Sequence, residues 1–173
     1  ARARAMGRGE WRERDRFRRG LYLSAARAAL FNRVLATRVA DGTWCRVLTG
    51  EPLVPAGARC EFIPAILDAN ILQRVATGDV HPTGPLWGDG AGLVAGGLGQ
   101  LETGLVRQEP DLLAAIRQAR MQAERRPLRV IPQALTWTWQ DRETAILGMR
   151  LPPGSYATTV LSALAGEVID AHA

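Results

Sequence analysis

Eight arginines lie within residues 1–20, ARARAMGRGEWRERDRFRRG, interleaved with Trp11 and Phe17. Guanidinium groups bind phosphate oxygens bidentately and stack on bases, so an arginine-rich segment carrying aromatics suits RNA. Arg14, Arg16, Arg18 and Arg19 are the candidate contacts. A solvated basic tail is the competing reading of the same residues. The other groups that could do chemistry are few. His81 and His172 are the only histidines, and Cys45 and Cys60 lack CxxC spacing, so no metal site is expected and both thiols should be free and reduced. The glycine- and proline-rich run from Gly78 to Gly99 could expose backbone N–H groups to an anion. No GK[ST] follows it, and no strand-GxGxxG-helix frame with an acidic residue beyond encloses it, so no nucleotide cofactor is expected.

The element that must position such groups is a long helix beginning in Leu21–Asn32, LYLSAARAALFN, and continuing through RVLATRVADG. Ser24 is the expected N-cap and Asp41-Gly42 the stop. Leu30, Phe31, Val34, Leu35 and Val39 fall on one face at helical period. Arg27 and Arg38 share that stripe while Arg33 points away with Asn32. A guanidinium on a packing face must find partners, so Arg27 and Arg38 are expected to be buried beside Phe31 and hydrogen-bonded.

The composition, 47% hydrophobic and 23% charged over 173 residues, is that of a globular protein with room for a real core. The net charge of +5 comes from arginine, since the chain contains no lysine. Genomic base composition explains the missing lysine but not the clustering at residues 1–20. No apolar run reaches the ~20 residues of a membrane span, so no membrane association and a cytoplasmic location are expected.

In chain order, residues 1–20 lack helical periodicity and read as a basic lead-in. After the long helix, Trp44–Leu48 and Arg59–Ile63 have strand character, Ala65–Ala76 has helical period and Gly78 stops it. Asp79–Gly99 reads as an ordered loop carrying His81 and Trp87 at the surface. Leu98–Arg107 and Pro110–Arg126 read as helices, the second marked by Pro110 and Asp111, with Arg117, Arg120, Arg125 and Arg126 on its surface and C-terminal end. Leu135–Trp139 and Ala145–Leu151 form a hairpin with Leu135, Trp137 and Trp139 on its buried face. A final helix starts at Gly154-Ser155 and runs through Leu164.

Three ordered stretches, Leu23–Val39, His81–Trp87 (HPTGPLW) and Leu151–Thr158 (LPPGSYAT), resemble motifs from the second half of the tRNA pseudouridine synthase D family. The resemblance implies an α+β fold: a basic segment at 1–20, the family's helix-rich insertion domain with short strands at 21–130, and at 131–173 an antiparallel hairpin and helix from the end of its catalytic domain. It makes Ser24, Arg27, Phe31, Asn32 and Arg38 motif residues and Gly154, Ser155, Tyr156 and Thr158 substrate-binding ones. His81, in the second motif, joins the RNA-contacting set. The aromatic at Tyr156 would stack near a flipped base, and tRNA is the implied partner.

That family isomerises uridine 13 of tRNA to pseudouridine without cofactor, through an aspartate nucleophile in a Gly-x-Lys-Asp motif. The motif is absent from these 173 residues, and none of the aspartates present lies in a comparable context. The Asn-Tyr-Phe-Gly-x-Gln-Arg-Phe-Gly motif is absent too, and Ser162-Ala163 replaces the family's usual Arg-Glu. The expectation is therefore a fragment of a pseudouridine synthase, contributing RNA binding and part of the active-site wall, inactive alone, and partnered by the parent protein's N-terminal half. A free-standing RNA-binding module is the alternative.

Overall fold

The computed structural model describes residues 1–90 and 94–166, and the chain divides into two compact units, Ala1–Arg129 and Val130–Ala173. In the first unit a 25-residue helix, α2 (Arg16–Ala40), is preceded by α1 (Arg2–Gly7). The cap of α2 is Asp15, whose carboxylate accepts from the Arg18 N–H at 2.9 Å. Ser24 lies exposed inside the helix instead. The helix extends beyond its apolar stripe because a good cap starts it at Asp15, and arginines keep their stems helical while their charges stay in water.

The lead-in is thus not a tail. α1 packs on α5 (Pro110–Gln118), and Arg4 and Arg33 both reach the buried Glu109, at 2.8 and 2.6 Å, while Arg8 pairs with Asp111 at 2.7 Å. Gly7 makes this approach possible, since a Cβ there would sit 1.8 Å from the Asp111 carbonyl oxygen. Arg33, expected to point away, instead meets Gln108 and Glu109 at the start of α5. Val39, expected in the core, is exposed.

α2 buries Leu23, Ala26, Leu30, Phe31, Val34 and Arg38. Ala26 and Leu30 join Trp87, Val106, Leu112 and Ile116 in one core cluster, which draws on α5 and α4 (Gly96–Arg107). A second cluster, Leu53, Val75 and Val80, sits where β1 (Leu53–Pro55) and α3 (Ala69–Thr77) meet β2 (Val80–Leu86). Asp68 caps α3, and Gly78 ends it in the left-handed region that favours glycine.

Within the surface loop expected over residues 79–99, Val80–Leu86 is instead the middle strand of a three-stranded antiparallel sheet, β1-β2-β3, with β3 at Glu124–Pro127. Two prolines in a central strand argue against this from sequence. They are tolerated because β1 pairs only with Val80–Pro82 and β3 only with Thr83–Leu86, so the ladder changes edge between the two prolines, with the Pro82 carbonyl accepting from the Leu128 N–H just beyond β3. Trp87 is buried, and Phe31 packs against Gly84, where a Cβ would come within 2.9 Å of the ring. The first two family-like motifs therefore interlock.

The helix expected to run to Arg126 ends at Gln118, Arg120 turns at φ 50°, and residues 124–127 supply β3. The strand expected over Trp44–Leu48 is also absent. That segment wraps Arg38, which is 0% exposed: it donates to Glu51 Oε1 at 2.9 Å and Oε2 at 3.2 Å and to the carbonyls of Thr43 and Arg46 at 2.8 and 2.9 Å, and the Leu48 N–H donates to Glu51 at 2.7 Å. Backbone groups that a neighbouring strand would satisfy are satisfied by the ion pair. From Arg59–Ile63 only Phe62 pairs, as a single bridge to Leu53.

The second unit holds an antiparallel hairpin, β4 (Gln133–Trp139) and β5 (Ala145–Arg150), and α6 (Ala157–Ala165). Asp141 holds the turn by accepting from the N–H groups of Glu143 and Thr144. None of its described residues is buried, and Leu135, Trp137 and Trp139, expected to face a core, are 38%, 66% and 67% exposed. Two strands and one short helix cannot enclose three large side chains.

Replacing Glu51 by Gln leaves Arg38 buried without its countercharge and should cost about 3–5 kcal/mol. Thermal denaturation should show a large drop in midpoint, whereas Glu10→Gln, at the surface partner of Arg8, should leave it nearly unchanged.

Candidate nucleic-acid interface

The arginines of the first unit fall into two sets. Arg38 is bound to Glu51, and Arg125 is equally enclosed, donating to both oxygens of Glu102 at 3.0 and 2.8 Å and to the hydroxyl and carbonyl of Thr83 at 2.8 and 2.7 Å. Arg27, with its side chain 12% exposed, donates to the carbonyls of Leu86 and Gln122 at 3.0 Å and lies 3.5 Å from Glu124. Arg126 lies over the Phe31 ring at 5.8 Å. These groups hold the fold together.

In the other set the side chains are exposed and, among the described residues, have no hydrogen-bond or ion-pair partner: Arg46, Arg59, Arg107, Arg117 and Arg120 are scattered over the unit, whereas Arg12, Arg14, Arg16, Arg18 and Arg19 are crowded into a single short stretch. Asp15 places them, because capping α2 sets Arg16, Arg18 and Arg19 on its first turns while Arg12 and Arg14 lie on the extended approach. That approach is pinned by Trp11, edge-on to Tyr22 at 5.6 Å and covered by Arg2 at 4.8 Å. Arg12, Arg14, Arg16 and Arg19 line an open bay with Glu13. Such an array can neutralise several phosphates at once.

His81 stands apart from the bay. It lies half-buried on β2, its Nδ1 accepting from Arg129 Nε at 3.2 Å, while Arg129 also donates to the carbonyls of Val75 and Val80. Burial, and then the adjacent guanidinium, hold its pKa below the ordinary imidazole value. The ring is therefore neutral near pH 7, with the proton assigned to Nε2 by the Arg129 bond.

In the second unit Gly154 turns the chain at φ 80°, the Ser155 N–H donates to the Pro152 carbonyl at 3.2 Å, and Tyr156, 75% exposed, is the N-cap residue of α6. Thr158 is exposed in the first turn, whose N–H groups have no side-chain cap. Of the aspartates, Asp15 and Asp68 cap helices, Asp111 pairs with Arg8 and Asp141 holds the hairpin turn. Asp170 and His172 lie outside the described residues.

A family model described as tRNA pseudouridine synthase D (TruD) matches residues 15–164. The chain belongs to the tRNA pseudouridine synthase D family. A tRNA pseudouridine synthase D from Xanthomonas euvesicatoria is 43% identical over 155 residues, covering 88% of this chain and 42% of its own length. One from Psychrobacter arcticus is 38% identical over 167 residues, covering 93% and 41%. The TruD crystal structure from Methanosarcina mazei superposes with a TM-score of 0.55 at 20% identity, over 79% of this chain and 35% of that one, and so shares the fold. The chain spans about two fifths of the length of the curated relatives it matches.

Sequence reasoning missed the Glu102–Arg125–Thr83 network. One signal was available: Leu98, Glu102 and Val106 follow each other at four-residue spacing, which puts a carboxylate on the buried stripe of α4.

Because the folded His81 imidazole binds its proton less tightly than the unfolded one, its stabilising contribution is complete above the ordinary value of about 6.5 and is lost as pH falls below it. Thermal midpoints measured from pH 7.5 to 5 should fall more steeply for the natural chain than for His81→Gln. Equal slopes would show that His81 titrates normally.

Proposed function

We propose that this chain is the RNA-binding portion of a tRNA pseudouridine synthase that converts uridine 13 of tRNA to pseudouridine without a cofactor. In such a reaction the uridine leaves the RNA stack, an aspartate attacks, and the freed base turns and rejoins the sugar through carbon. The nucleophile of the family's Gly-x-Lys-Asp motif is not among these residues. On this reading residues 21–130 form the family's insertion domain and 131–173 the end of its catalytic domain. The parent protein's N-terminal half supplies the nucleophile, and the chain supplies cationic RNA contacts and one wall of the uridine site.

The observation that supports this is the contrast among the arginines. Those that stabilise the fold are paired, and the five from Arg12 to Arg19 are not. Unpaired exposed cations of one sign repel one another, and a polyanion relieves that repulsion. Tyr156, exposed at an uncapped helix start beside Gly154, Ser155 and Thr158, is placed to meet an unstacked base, with stacking worth ~1–3 kcal/mol. His81, being neutral, acts as a hydrogen-bonding neighbour of Arg129 rather than as a phosphate-binding cation.

Filter binding of tRNA over a salt series tests the RNA surface. Affinity should fall steeply with salt, and substituting Arg14, Arg16, Arg18 and Arg19 by Gln should lower the slope of log K against log salt by about three, roughly 0.7 per lost phosphate contact. An unchanged slope would place the RNA elsewhere. The chain alone should give no tritium release from uridine-labelled tRNA. In a protein that also carries the Gly-x-Lys-Asp half, Tyr156→Ala should reduce kcat far more than stability, and Tyr156→Phe should be mild.

A further inference from the structure

The first turns of α2 carry an apolar feature that phosphate binding does not use. Phe17 is 75% exposed and Leu21 53% exposed, on a helix whose neighbouring side chains there are almost all arginine. They are four residues apart and therefore on one face, and Gly20 lies between them. With Arg16 these residues line a shallow notch whose surface is overwhelmingly carbon.

Gly20 is not required by packing or by backbone geometry. A Cβ there would meet no atom within 4 Å, and its φ lies outside the left-handed region. A glycine inside a helix is destabilising relative to alanine. What it does accomplish is to floor the notch with bare backbone, in a space that a long side chain would fill. The surroundings select the occupant by charge, since Arg16 lines the notch, its sequence neighbours Arg14, Arg18 and Arg19 are exposed, and no acidic side chain is bound to any of the four. An apolar peptide segment would leave those guanidinium groups unmatched. A nucleotide matches both features, with its base on the ring and its phosphates among the arginines.

We propose that Phe17, Gly20 and Leu21 form a stacking notch for one unpaired RNA base, whose phosphate is met by Arg16 at the edge of the notch. The notch gives the arginine surface a preference for single-stranded or looped RNA over continuous duplex, because a paired base presents no free face. The proposal rests on the reading of this surface as an RNA contact and specifies the kind of RNA it takes.

Fluorescence anisotropy of the 173-residue chain with a labelled oligouridine, and with a labelled RNA duplex of equal phosphate number, tests it. The natural chain should favour the single strand. Phe17→Ala should weaken oligouridine binding about tenfold and duplex binding less than twofold, the size expected of one lost stack. Phe17→Tyr should keep both affinities, and Gly20→Leu, which fills the notch and raises helix propensity, should weaken the single strand selectively. Circular dichroism should show the same fold in all variants, since neither position is packed. If Phe17→Ala and Gly20→Leu leave oligouridine binding unchanged while the arginine substitutions abolish it, the notch is not a base site and the RNA surface stands. If the natural chain binds neither RNA at low salt, the RNA surface itself is refuted, and the notch with it.

Discussion

Two buried arginine–glutamate pairs organise the first unit, and they are nearly joined. Glu102 holds Arg125, Arg125 holds Thr83, and the Thr83 hydroxyl donates to the carbonyl of Pro52 at 2.6 Å, next in sequence to the Glu51 that holds Arg38. The line runs from α4 through β3 and β2 to the segment before β1 and on to α2, so α4, β3, β2 and α2 each contribute a buried polar group. Burial pushes the Glu51 carboxyl up, and the Arg38 hydrogen bonds and the Leu48 N–H pull it back. Such networks demand complete satisfaction, because a missing member leaves a desolvated charge behind. That demand explains why residues 43–48 coil around a guanidinium rather than extending as a strand.

The same residue type serves two opposite ends. Arginine suits burial because its planar fork presents five donors to fixed carbonyls and carboxylates, as at Arg38 and Arg125. It suits a polyanion surface when left unpaired, as from Arg12 to Arg19. The division between the two follows geometry rather than composition. Glu109 draws in Arg4 and Arg33 and Asp111 takes Arg8, which pins α1 and thereby fixes the approach to α2 on which Arg12 and Arg14 sit.

The second unit has the opposite character. Its hairpin and helix follow local rules, with Asp141 tying the turn and Gly154 permitting the bend before α6, yet none of its described residues is buried. Trp137 and Trp139 alternate with threonine as a half-buried strand should, so the pattern declares a buried face while the described residues of the unit leave both rings exposed. Among the described residues no helix is long and apolar enough to cross a membrane.

By itself the sequence determined what depends on local chemistry. The long helix with arginines on its packing stripe, the stop at Gly78, the start at Pro110, the hairpin and the family were all legible, because capping, glycine conformation, proline and periodicity act within a few residues. Tertiary structure decided the rest. The cap moved from Ser24 to Asp15, residues 2–7 became a helix through contact with α5, and His81–Leu86 became a central strand despite two prolines because its two halves pair with different neighbours. Residues 124–127 left an apparent helix to pair with β2, and Arg125 went from the surface to the core because Glu102 and Thr83 were waiting there. A charge's partner can lie anywhere in the chain, and only the packed fold brings the two together.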